Sequence, residues 1–514
     1  MPRLDSVSKQ WIVIGAILAG AIYTQTSLRV LLYLPLDLYY LIAATPPMWG
    51  PLAGLLILMI GAVFLEGSRP STRLHWLLWV VAGVAGCLGI IWFFRAGDLD
   101  WHASGDWKKE WTYYTAVREG LRDGQLPWYL KEIFQGTDRF FANPETPVAP
   151  HVLLMAWMGV SAFLVLQFVL LFIIGFAGFQ RLAGELRLGP IASTAFIAIL
   201  LLNGNLVGHL GAGHFQWAGY FAIPWVFLFL HRASAGDTSS RTQSGLALAL
   251  GLMVAVGGWH VFVWCVIFVG VFVLCNRGRW WLGAGAAALA AGLIAYRVLP
   301  AIMVFGAHDT EFLHSYEQIT ILLAALVGYP RDMPCCLFWF EYDAYVGWVG
   351  MVLVCAGFTA PLSRVWREPV AALWAPSVAM LVLSTFNIYK WTLFRLPGFV
   401  SERVASRLLV VGLLGFALLG CVQLNLWLTR RPMTHARRAA LALAGLLMAA
   451  QLLVRANSVR PAPDQGLGRV AINVISQRPP DRAYAASLAA GVFVSAISAA
   501  IAIRMWRRRP EFAS

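Results

Sequence analysis

Charge is what this sequence lacks. Only 12% of its 514 residues are charged, while 59% are hydrophobic. A soluble globular chain carries about 25% charged residues, so too few charges remain here to coat a surface facing water. Acids are the scarcer sign, 25 against 39 Lys and Arg, for a net charge of +14. Cysteine is sparse as well. Most of the seven lie in apolar runs, where a free thiol behaves as a small hydrophobe, and the spacing of a secreted disulfide framework is absent. The start is basic and then apolar, but no small-residue cleavage site follows, so it reads as an anchor rather than a removed signal. No internal repeat and no segment long enough for a separate soluble domain stands out.

What is present is a series of Leu-, Ala-, Val- and Gly-rich runs near the length of a bilayer crossing, about 20 residues. Lipid offers the backbone no partners, so a spanning chain must form helices or a closed barrel. Continuous rather than alternating apolar runs select helices. The expectation is an all-α polytopic membrane protein with fourteen spans, near 11–33, 41–65, 76–94, 152–176, 189–206, 214–230, 244–258, 259–275, 280–296, 346–362, 370–386, 407–428, 438–454 and 484–503. The runs between 244 and 296 are short enough that one pair could be a single split element.

The basic residues are mostly Arg, and they cluster in short loops at the ends of alternate runs. That distribution places both termini in the cytoplasm. It also explains the positive charge without nucleic acid, which is excluded as a partner. Residues 95–151 and 297–345 then become large outer segments. The loop 95–151 holds nine acids: Asp98, Asp100, Asp106, Glu110, Glu119, Asp123, Glu132, Asp138 and Glu145. Trp101, Trp107, Trp111, Trp128 and Tyr129 are interleaved with them. Carboxylates suit proton abstraction from a hydroxyl, and aromatic faces suit sugar rings and the headgroup level.

Asp106 and Glu110 are four apart, so a helix places them on one face. Asp106 also suits the N-terminal cap of that helix. Asp98 and Asp100 form a carboxylate pair of the kind that holds Mg²⁺ or Mn²⁺. His209 and His214 flank a Gly-rich turn and could hydrogen-bond a phosphate or a sugar, although two ligands alone do not make a metal site. Arg403 and Arg407 are four apart at the start of a run, on the outer side, against the inward bias of the other arginines. Guanidinium forks match phosphate oxygens. Arg297 is a lesser candidate of the same kind, and His260 reads as a structural histidine.

Gly105-Asp106-Trp107, a helix, Gly124-Gln125-Leu126-Pro127-Trp128 and Ala142-Asn143-Pro144-Glu145-Thr146 follow one another in the first outer loop. Gly208-His209, Gly213-His214, Gly257-Gly258-Trp259-His260 and Leu396-Pro397-Gly398-Phe399 with Arg403 and Arg407 come later. In this order the motifs resemble the GT-C superfamily of membrane glycosyltransferases, most closely its YfhO-like branch, over residues 76–428. Residues 1–75 would then be extra N-terminal spans, and 429–514 C-terminal spans with a basic tail. The resemblance implies transfer of a sugar from a polyprenyl-phosphate carrier to an extracytoplasmic glycan, lipid or protein acceptor at the bacterial inner membrane. It also implies a loop aspartate as base, carried over to Asp106 with Glu110 as helper. His209, His214, Arg403, Arg407, Trp107 and Trp128 would bind substrate. The alternatives are a non-catalytic membrane subunit and a transporter of lipid-linked glycan.

Overall fold

The computed structural model describes residues 6–24, 49–66, 72–94, 106–134, 137–302, 311–328, 339–396, 398–430, 432–459 and 473–507. Asp98, Asp100, Trp101 and the Cys335-Cys336 pair lie outside these. Among the described residues the chain is overwhelmingly helical, with one small sheet.

Among the described residues, six helices are long and apolar enough to cross a membrane: Trp76–Phe93, Val160–Glu185, Pro190–Ala212, Ala405–Thr429, His435–Ser458 and Arg482–Arg507. A bent pair, Trp280–Leu293 and Ala295–Ile302, makes a seventh if its two limbs form one span broken by 72°. The fourteen expected runs therefore do not all become full-length helices. Gly347–Phe358, for example, has 12 residues. At about 1.5 Å per residue, such a helix covers little more than half of a hydrocarbon core of about 30 Å. Apolar composition marks these segments correctly as buried or lipid-facing, but length is a separate property that composition does not fix. The run 244–275 is two helices, Ser240–Ala255 and Trp259–Cys275.

Two compact units are formed. Unit 1 comprises Met1–Phe93, Phe179–Gly211 and Phe312–Arg460, and unit 2 comprises Phe94–Gly178, Ala212–Glu311 and Pro461–Ser514. In unit 1 the Leu409–Thr429 helix is buried on nearly every face, as expected of a helix apolar all round. It packs on Gly347–Phe358 and on Trp374–Leu383. Backbones approach closely there: a side-chain carbon at Gly357 would collide with the Phe416 carbonyl, and one at Gly420 with the Leu353 carbonyl. Small residues at helix contacts substitute for the hydrophobic drive that lipid does not provide.

Unit 2 carries the sheet, in the order β2-β1-β3, where β1 is Tyr129–Phe134, β2 Thr137–Arg139 and β3 Ile475–Ser476. Both pairings are antiparallel, with Tyr129 opposite Arg139 on one side and Ser476 on the other. The Glu119 carboxylate accepts from the backbone N–H groups of Asn473 and Val474, which ties β3 to the Asp106–Asp123 helix. Residues 106–139 are thus a helix followed by a strand pair, not helical throughout as expected.

Candidate functional site

Asp106 is the first residue of the Asp106–Asp123 helix, where the partial positive charge of a helix N-terminus favours a carboxylate. The helix is polar in composition, yet it buries Trp107, Lys109, Glu110, Tyr113, Tyr114 and Val117. Burying Lys109 and Glu110 requires compensation, and the surroundings provide it. The Lys109 ammonium lies 2.7 Å from Glu145 Oε2, 3.7 Å from Asp106 Oδ1 and 3.8 Å from Glu110 Oε1. The other Glu145 oxygen faces His260 Nε2 at 3.3 Å. Asp106 Oδ2 is hydrogen-bonded to His214 Nε2, and the His214 ring stacks on Trp217 with centroids 5.0 Å apart.

Glu145 is held by a local device. Asn143 Oδ1 accepts from Glu145 N at 3.0 Å, and Asn143 Nδ2 donates to Tyr113 OH at 2.6 Å. Thr146 Oγ1 donates to the Phe140 carbonyl at 2.8 Å. Arg297, buried on the short limb of the bent pair, donates through Nη2 to the Asn143 carbonyl and to Thr146 Oγ1. The Ala-Asn-Pro-Glu-Thr motif is a turn whose polar groups all serve to fix one carboxylate.

Three carboxylates sharing one ammonium cannot all behave alike. Burial would lift Glu145, but Lys109 and His260 overcome it and hold the acid well below its ordinary range. Glu110 is dominated by burial, with Lys109 opposing and the Glu145 and Asp106 charges adding, and is pushed well above its ordinary range. Lys109 is pulled upward, because the charges of Glu145, Glu110 and Asp106 outweigh its burial. Asp106 is partly buried, which raises it. The His214 hydrogen bond, the His214 charge and Lys109 more than compensate and bring it down to about 2. Glu110 is thus driven upward in pKa while Glu145 and Asp106 are driven downward, so the three acids of the site are held apart in acidity. Of the three carboxylates, only Asp106 is substantially open, with its side chain 39% exposed against 1% for Glu110 and 3% for Glu145.

Asp106, Glu110, His214, Trp107 and Trp128 all belong to unit 2, whereas His209, Arg403 and Arg407 belong to unit 1. Asp106, Glu110 and His214 form one cluster. Trp107 is buried edge-on against Phe215 at 4.6 Å, and Trp128 meets Phe141 and Tyr484 at 5.6 Å each. The expected guanidinium pair is not realised. Arg407 forks onto Glu341, with its Nε 2.5 Å from Oε2 and its Nη2 on Oε1. Arg403 is exposed and precedes the turn that begins at Ala405, so the two do not share a helical face. His209 is fully buried, with Phe340 edge-on and Glu341 Oε2 at 4.0 Å.

No group of three or more His, Cys, Asp or Glu side chains among the described residues is arranged to hold a metal. The Lys109 ammonium occupies the place among the carboxylates of unit 2 that a divalent cation would take. The residues that sequence reasoning missed are Lys109 and Glu145. Glu145 stood inside a recognised motif, and the available signal was a carboxylate preceded by the Asn-Pro turn. The sequence was compared with protein-family models and with curated proteins, and neither comparison gives a match.

Proposed function

We propose that this protein is a multi-pass membrane glycosyltransferase that moves a sugar from a polyprenyl-phosphate donor to a hydroxyl acceptor on the extracytoplasmic side, with Asp106 as the general base and His214 as its hydrogen-bonding partner. The topology in this proposal keeps both termini in the cytoplasm and counts the shorter apolar helices toward the fourteen crossings. The observation that carries the reading is the asymmetry of the acidic cluster: one exposed, ionised carboxylate, bonded to an imidazole, set on a buried and charge-compensated base. In the proposed step the acceptor hydroxyl oxygen bonds to the anomeric carbon. The bond from that carbon to the donor phosphate oxygen breaks, and the phosphate leaves with the electron pair. The hydroxyl proton passes to Asp106. A carboxylate with a pKa of about 2 is a weak base alone. The His214 ring bonded to its Oδ2 holds the carboxylate oriented, so position rather than basicity is what the site supplies.

The test is turnover by the purified protein with a panel of polyprenyl-phosphate sugars. Asp106→Asn keeps the shape and removes the base, so a loss of roughly a hundredfold or more is expected. Turnover that survives the substitution removes Asp106 from the role.

A second reading, a transporter of lipid-linked glycan, is favoured by the 72° break in the Trp280–Ile302 pair and by the buried Arg297 on its short limb. Broken helices and buried charges mark substrate paths in transporters. Flux of a lipid-linked sugar across proteoliposomes without any new glycoside would select it.

A further inference from the structure

Residues 386–403 of unit 1 expose an unusual mixture. Trp391 is 70% exposed, Phe386 55%, Leu396 46% and Val400 40%. Lys390, Arg395 and Arg403 are exposed among them, while Glu402, the acid of this stretch, is buried. Outside the stretch, Glu317 lies 4.0 Å from His314. Exposed apolar side chains are expected on the lipid-facing side of a spanning helix. This stretch contains only the five-residue helix Ile388–Thr392, so that account does not apply.

Nor is it a loose loop. Phe386 N donates to the Tyr316 carbonyl at 2.8 Å. Asn387 N donates to Ser315 Oγ at 2.8 Å, and that hydroxyl donates back to Asn387 Oδ1 at 2.9 Å. Tyr389 OH donates to the Phe399 carbonyl at 2.9 Å, and Leu313 N to the Arg403 carbonyl at 2.9 Å. The exposed side chains are therefore held out by a fixed backbone. Lys390 Nζ stands 5.6 Å from the ring centroids of both Phe312 and Trp391, which keeps a cation at the level of the aromatic rings.

We infer that residues 386–403 form a membrane-seated platform that binds the headgroups of anionic phospholipids. Three observations select that occupant. The platform ends two residues before Ala405, where a helix long and apolar enough to span begins, so it lies at the edge of whatever bilayer that helix enters. Its aromatic and aliphatic side chains suit the interfacial layer. Its exposed charges are all positive, and an anionic lipid surface attracts each of them. The inference stands apart from the sugar-transfer proposal and holds even if Asp106 catalyses nothing.

The test uses the full chain in nanodiscs of phosphatidylcholine with or without phosphatidylglycerol, reading amide hydrogen exchange over 386–403. Exchange is expected to slow several-fold when phosphatidylglycerol is present. Lys390→Gln with Arg395→Gln should remove that difference, and Trp391→Ser with Leu396→Ser should speed exchange in both compositions. If the double charge variant unfolds in neutral discs, Lys390→Gln alone is compared in the same way. Equal exchange of the wild type in both compositions overturns the inference, as does a slowing that survives the charge variants. Slowing by inorganic phosphate in neutral discs also overturns it, since the site would then take free phosphate rather than headgroups.

Discussion

The two units solve the problem of buried charge differently. In unit 1, two contacts join a guanidinium to a carboxylate: Arg455 with Asp343, both almost fully buried, and Arg407 in a fork with Glu341. In unit 2, Asp106, Glu110 and Glu145 surround a single ammonium, with two imidazoles at the rim. A guanidinium set on a single carboxylate serves as a fastener. An unequal cluster must place a proton somewhere, and its members are driven apart in acidity. Chemistry at neutral pH depends on such separation, and for that reason unit 2 rather than unit 1 carries the proposed site.

The sharpest way to break this contrast is to cut a fastener. Arg455→Met leaves Asp343 buried with no counter-charge and should cost roughly 3–5 kcal/mol of stability, read as a lowered unfolding temperature in detergent. Adding Asp343→Asn should restore most of the loss. A double variant no better than the single one would show that the pair is not a closed unit.

A smaller effect is expected on the acid side of unit 2. The folded-state pKa of Asp106 is lowered to about 2 from 3.8. Its contribution to stability is therefore complete above the unfolded value and is lost as pH falls through the folded value. The shift corresponds to roughly 2 kcal/mol at full weight, but the side chain is more than a third exposed, and solvent screening reduces this to roughly 1 kcal/mol. Asp106→Asn should flatten unfolding curves between about pH 4 and pH 2.

The smallest effect belongs to Glu110, whose shift has the opposite sign. An acid raised by burial contributes stability below its unfolded value of 4.5 and loses it as pH rises toward the folded one. Glu110→Gln should thus fold as well as the wild type in mild acid and gain relative to it as pH rises. A strong loss at every pH would show that Glu110 is ionised and bound to Lys109, and the contrast between the units would weaken.

The sequence made the continuous runs legible because a span is a local property. Val160–Glu185 and Leu409–Thr429 are predominantly apolar, and both are helices. The helix beginning at Asp106 was legible for the same reason, through its capping residue and the turn at Gly124. What joins distant positions was not legible. Lys109 meets Glu145 across 36 residues and Glu145 meets His260 across 115, and no local pattern encodes either contact. The strands were hidden because β1 is completed by Ile475–Ser476, far along the chain. Arg403 and Arg407 misled in the opposite direction. Their spacing of four residues is a helical signal, but the backbone at 401–404 is not helical and Glu341 takes the second guanidinium.

Gly213, the residue before His214, has a left-handed backbone with φ of +96° and is pressed against the start of the Asp106–Asp123 helix. A methyl group there would come within 2.7 Å of the Trp107 nitrogen and 2.8 Å of its ring, closer than atoms tolerate. Gly213→Ala should therefore act as a wedge, parting the imidazole from Asp106 while every charge stays in the chain. Its acid unfolding limb should then resemble that of Asp106→Asn. One hydrogen atom in place of a methyl is what lets a carboxylate and an imidazole from segments more than a hundred residues apart stand as a single donor–acceptor unit.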